Sequence, residues 1–123
     1  MRRFLALLAL LVCVAACQTT TASSTDVELF EFDIEPGVST LEAGSVDLTV
    51  TNTGEYSHTL VITDAGGRVV SAGDVVGSGE TTELSVDLAP GEYSFTCRIV
   101  GQDDEGNVID HFEEGMHTAI TVS

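Results

Sequence analysis

Four residues of this chain have side chains that suit one another chemically: His58, Cys97, His111 and Met116. A soft thiolate, two imidazoles and a thioether are the ligand set of a blue-copper electron-transfer site. Each type has a reason to be there. Thiolate covalency favours Cu(I) and opens a strong electronic path. Two imidazoles satisfy Cu(II). A weak axial thioether biases the balance without imposing a new geometry. Three neighbours could compete for these roles. His117 follows Met116 directly, so strand alternation turns it to the other face, and it reads as a bystander and as the substitute if His111 fails. Glu113 or Glu114 as an oxygen ligand would give a red or green copper variant. Ser57 and Thr59 flank His58, where one of them could hydrogen-bond the cysteine loop.

These residues need rigid elements to hold them, and the pattern is that of strands. Apolar and polar residues alternate in short runs divided by turn residues. "VELFEFDI" carries Val27, Leu29 and Ile34, with Phe30 and Phe32 on the other phase, and "EPG" ends it. "VDLTV", "LSVDL", "YSFTC" and "TAITVS" alternate as well, and "HTLVI" reads as a short buried strand. Seven or eight strands at this spacing predict an all-β antiparallel sandwich or barrel. No helix declares itself. Between Cys97 and His111, "RIV" and "VID" flank the acidic turn "GQDDEGN". This predicts a β-hairpin insertion centred near Asp104, which returns the chain opposite Cys97 within a residue or two. Its acids lack EF-hand spacing and the twelfth-position glutamate, so an exposed turn is expected there and not a calcium loop.

The chain opens "MRRFLALLALLVCVAAC". A short basic start and an apolar run too short to span a membrane have the layout of a secretory signal. The ending "VAAC" resembles the bacterial lipobox, in which the cysteine becomes the lipid-modified N-terminal residue. The expected organisation is a lipoprotein signal peptide over 1–16, lipidated Cys17 with a flexible polar tether over 17–25, and one domain over 26–123. Cys13 would leave with the signal. Cys97 would then be the sole thiol. Exported proteins usually pair their cysteines, and an unpaired one is an oxidation liability unless it is buried or bound. That singles out Cys97 as a ligand.

With the leader gone, Arg68 and Arg98 face all 20 carboxylates, a net charge of −18, and the chain has no lysine. Such a surface repels nucleic acid and anionic headgroups and attracts basic proteins. The acids are scattered along the chain, and net charge speaks to solubility before it speaks to partners.

Three stretches resemble the small cupredoxins of the plastocyanin and pseudoazurin type. "TNTGEYSHTLVITD" looks like the segment that carries their first histidine ligand, "PGEYSFTC" like the strand that delivers the cysteine, and "HFEEGMHTAITV" like their final ligand loop and strand. The likeness covers the whole domain. It implies a cupredoxin-like Greek-key β-sandwich holding one mononuclear copper through His58, Cys97, His111 and Met116. The chain departs from the family in one place, where 98–110 intervene between cysteine and second histidine in the position of a short loop.

The resulting expectation is a monomeric, lipid-anchored, extracytoplasmic type 1 copper protein carrying single electrons between redox partner proteins, some of them basic. It touches the membrane through its anchor alone and binds no nucleic acid. It is not expected to be an enzyme, because no nucleophile–base pair, general-acid pair or phosphate loop is present. Two other classes remain open: a copper-binding or delivery protein without electron transfer, and a metal-free β-sandwich accessory module. The colour of the Cu(II) form separates the first from the carrier, and copper retention by Cys97→Ser tests the second.

Overall fold

A computed structural model describes residues 21–123. The expected signal peptide, Cys13, Cys17 and the first residues of the expected tether lie outside the described part. Among the described residues there is no helix, and eleven strands replace the seven or eight expected: β1 (Ser24–Phe30), β2 (Asp33–Pro36), β3 (Thr40–Leu41), β4 (Gly44–Asn52), β5 (Val61–Asp64), β6 (Val69–Ala72), β7 (Thr81–Leu88), β8 (Gly91–Thr96), β9 (Val100–Gln102), β10 (Val108–Asp110) and β11 (His117–Val122). The surplus comes from pieces of two to four residues, too short to show a period.

Two sheets make the sandwich. One has the order β2-β1-β4-β7 and the other β3-β11-β8-β5-β6. Alternation works as read: Val27 and Leu29 of β1, Val46, Leu48 and Val50 of β4, Phe95 of β8, and Ile120 and Val122 of β11 all face the space between the sheets. Their burial supplies the main favourable term for folding. The topology is not purely antiparallel, since β1 runs parallel to β4 and β3 parallel to β11.

Two expectations about the N-terminal part are corrected. The single strand over 27–34 is a hairpin: β1 and β2 pair with Leu29 opposite Ile34 and Phe30 opposite Asp33, so Glu31 and Phe32 form the turn. Val27 and Leu29 are odd positions and Ile34 is even. One continuous strand would put Ile34 on the opposite face, and the two-residue reversal restores it to the core. The tether expected to run through Thr25 is also shorter. Ala22 bridges Leu41, and Ser24 and Thr25 pair with Asp47 and Leu48. The ladder uses backbone N–H and C=O groups, which polar residues supply as well as apolar ones do.

The insertion is the expected hairpin, with its centre one residue later, at Glu105. Val100 faces Asp110, Ile109 faces Gly101 and Val108 faces Gln102, and the His111 N–H donates to the Ile99 carbonyl at 3.0 Å. Asp103 builds the turn by accepting from the N–H groups of Glu105 and Asn107 at 2.9 and 2.8 Å, and from the Asn107 side chain at 2.8 Å. Three of its roughly four acceptor sites are thus occupied by the turn itself. Gly106 closes the turn at φ +83°, where a side chain would be strained.

Candidate metal centre

The site lies at one end of the β3-β11-β8-β5-β6 sheet. Thr96, the last residue of β8, pairs with Val61 at the start of β5 and with His117 at the start of β11. Residues one step beyond these ladders therefore converge. Cys97 follows Thr96, Met116 precedes His117, and His58 lies three residues before β5. The Cys97 N–H donates to the Met116 carbonyl at 3.1 Å, and the Met116 N–H donates to the His111 carbonyl at 3.0 Å. The hairpin returns His111 to the same point, so the long insertion leaves the site intact.

All four side chains are withdrawn from water: His58, Cys97 and Met116 are 0% exposed and His111 is 3% exposed. His58, Cys97 and His111 form a cluster of ligand atoms fit for a metal ion. The two Nδ1 atoms are 3.2 Å apart, and Cys97 Sγ lies 3.6 Å from His111 Nδ1 and 4.0 Å from His58 Nδ1. A point equidistant from the corners of that triangle is about 2.1 Å from each, against about 2.0–2.1 Å for a zinc–imidazole bond and about 2.3 Å for a zinc–thiolate bond. The spacing thus fits a first-row metal ion, and the donor set with buried Met116 beside it fits copper. These residues are arranged as a single mononuclear type 1 copper site. Glu113, Glu114 and His117 are exposed and stand outside the cluster. The ring of His117 packs instead on Phe112, 5.1 Å between centroids, with Arg98 over the same phenyl ring at 4.2 Å.

The loop bearing His58 is held by buried Asn52. Its amide donates to the carbonyls of Tyr56 and Val76 at 2.7 and 2.8 Å and accepts from the Gly54 N–H at 2.9 Å. The backbones of His58 and Val76 exchange two further bonds. Thr59 takes the position anticipated for a flanking residue. Its N–H donates to Cys97 Sγ at 3.4 Å, and its hydroxyl accepts from the Arg98 N–H at 3.4 Å. Ser57 is exposed.

The electrostatics favour the ligating form at Cys97 and His111, whereas at His58 a metal must displace a proton. Burial pushes the Cys97 thiol up, but hydrogen bonding to His58 and to the Thr59 and Ile99 N–H groups outweighs it and holds the thiol below its ordinary value. The thiolate is the form a metal binds. Burial and the neighbouring charge of His58 press His111 below the usual imidazole range, which keeps it neutral and able to ligate. For His58, burial acts downward, and Cys97 and Glu31 act upward and prevail.

Three side chains at the site were not singled out from sequence. Glu31 Oε1 lies 3.2 Å from His58 Nε2. Phe32 meets His111 edge-on at 5.0 Å and stacks on Tyr56 at 6.2 Å. Tyr56, 43% exposed, lies 6.3 Å from His111 and forms the outer rim. The phase slip between Leu29 and Ile34 was the one available signal for the turn that places the first two.

Residues 3–109 match the family described as the cupredoxin-like domain, a span that ends just before His111. No curated protein matches the chain. Among solved structures, dithionite-reduced auracyanin from Roseiflexus castenholzii is 18% identical, with a TM-score of 0.68, 85% of this chain and 99% of that one covered. Rusticyanin from Thiobacillus ferrooxidans is 21% identical, with a TM-score of 0.62 over 85% and 79%. At these identities the likeness is one of fold.

Proposed function

The chain belongs to the cupredoxin-like domain family, and from that premise we propose that it is a one-electron carrier, not an enzyme, tethered by lipid at Cys17 to the outer side of a membrane. The observation that carries the reading is the buried His58–Cys97–His111 triangle with Met116 beside it. Copper bound there supplies a one-electron couple. The chain's own residues do the rest. Backbone ladders fix Cys97 and Met116, and Asn52 fixes the loop of His58, so the ligands have little freedom to rearrange when the metal changes charge. The Thr59 N–H steadies the thiolate. His111, beneath the rim of Phe32 and Tyr56, is the ligand with side-chain contacts to that exposed rim, and an electron passes most directly to a docked protein there.

The −18 charge expected of the processed chain supports partners with a basic docking face, met at rates that fall with ionic strength. The "VAAC" ending supports anchoring at Cys17 and an extracytoplasmic location. The decisive experiment is the absorption and electron-spin spectrum of the purified, copper-loaded protein. An intense thiolate-to-Cu(II) charge-transfer band, absent in Cys97→Ser, is the expected result. A colourless Cu(II) form would refute the electron-carrier reading and leave copper binding or delivery.

A further inference from the structure

The β1–β2 turn aims two consecutive side chains at the two histidines. Phe32 packs on His111, and Glu31 reaches His58 at Nε2, the ring nitrogen opposite the Nδ1 that faces Cys97 and His111. Glu31 Oε1 faces His58 Nε2 at 3.2 Å and accepts from the Tyr56 N–H at 2.8 Å. The carboxylate occupies the space beside Gly54, so a Cβ at that position would displace it. The Glu31 side chain is 29% exposed, so it is partly shielded, and the His58 side chain is 0% exposed.

An imidazole that turns Nδ1 to a metal carries its proton on Nε2. A carboxylate accepting that proton fixes the tautomer and ring orientation and strengthens the nitrogen as a donor. Its negative charge also favours the more positive oxidation state of whatever the ring binds. We propose that Glu31 is a positioning residue of the copper centre: its carboxylate holds His58 through Nε2–H and lowers the reduction potential of the site. The proposal rests on the copper-carrier reading. A purely structural role, closing the 53–57 loop through the Tyr56 N–H, makes a different forecast, because a glutamine could do that equally well.

The test compares wild type, Glu31→Gln and Glu31→Ala by voltammetry of the copper form and by zinc titration, zinc being a redox-silent occupant of the same ligands. Glu31→Gln keeps size and an acceptor but loses the charge. It is expected to retain the wild-type melting temperature while shifting the Cu(II)/Cu(I) preference about tenfold toward Cu(I), a rise of about 59 mV for a one-electron couple. Glu31→Ala is expected to lose about tenfold or more in zinc affinity, with partial recovery in Glu31→Gln. A blue wild type whose potential is matched by Glu31→Gln, or exceeds that of the variant, overturns the role of Glu31 and leaves the carrier reading standing. A wild type without the charge-transfer band overturns the carrier reading, and the zinc titration still decides whether Glu31 supports His58. Unchanged zinc affinity in Glu31→Ala overturns that support.

Discussion

Replacing Asn52 by alanine tests how the first histidine is held. Asn52 is 0% exposed, and its amide makes bonds of 2.7, 2.8 and 2.9 Å to Tyr56, Val76 and Gly54. The Val76 carbonyl keeps a second donor, the His58 N–H at 3.1 Å, so its loss is small. The Gly54 N–H is left in a buried position, where an unsatisfied donor costs about 1–3 kcal/mol, and the lost bond to the Tyr56 carbonyl adds about 1 kcal/mol. The total is about 3 kcal/mol. In a domain of about 100 residues that lowers the melting temperature by about 12–24 °C, at about 4–8 °C per kcal/mol. The assay is thermal unfolding of the metal-free protein beside copper titration at a temperature where the variant is still folded. Copper affinity is expected to fall as well, because the 53–57 loop carries His58. Leu88→Ala is the comparison. Leu88 pairs with Gly44 at the opposite end of the sandwich, and its truncation costs about 2–5 kcal/mol. It should destabilise similarly while the folded protein keeps its copper affinity. An Asn52→Ala protein that melts within about 3 °C of wild type, or that binds copper as Leu88→Ala does, refutes this account of the loop.

Four further outcomes are expected. Replacing residues 101–109 by Asn-Gly keeps Val100 opposite Asp110 and the His111–Ile99 bond, so the charge-transfer band should survive; a lost band would show that the arm itself builds the site. The same variant loses Asp103, Asp104 and Glu105, and its electron exchange with a small cationic reagent should slow and become less salt-dependent, as stopped-flow would record. Hydrogen bonds from Asn107 hold the Asp103 carboxyl below the usual carboxylate range. A depressed folded value means that this contribution is complete above about pH 4 and is lost as pH falls through the lowered value. Urea unfolding between pH 2 and 6 should therefore show a shallower acid limb in Asp103→Asn, and an unchanged limb would contradict the turn chemistry. Finally, Cys17→Ser should move the protein from the membrane fraction to the soluble one and abolish labelling by radioactive fatty acid, whereas continued labelling would place the lipid elsewhere.

Much of this molecule was legible in its residues, for physical reasons that differ by level. Ligand identity is local chemistry: a thiolate, two imidazoles and a thioether keep their preferences wherever the chain carries them, so His58, Cys97, His111 and Met116 stood out unaided. Alternation is equally local, and it correctly placed Leu29, Leu48, Phe95 and Ile120 in the core. The arm was readable because a polar, Gly-containing turn between two apolar runs has few other solutions. Its register was read one residue early, since the Asp103 side chain, not the composition, decides where the turn closes.

What the sequence could not decide depends on backbone pairing and on encounters between distant segments. Ala22, Ser24 and Thr25 join the sheets through backbone groups that every residue type shares. The reversal at Glu31 and Phe32 uses residues with no turn preference; it exists because Ile34 must face the core beside Leu29. That reversal alone brings a carboxylate to His58 and a phenyl ring to His111. The ligands were determined by their own chemistry, and their surroundings by a turn that only the packing of the two sheets could choose.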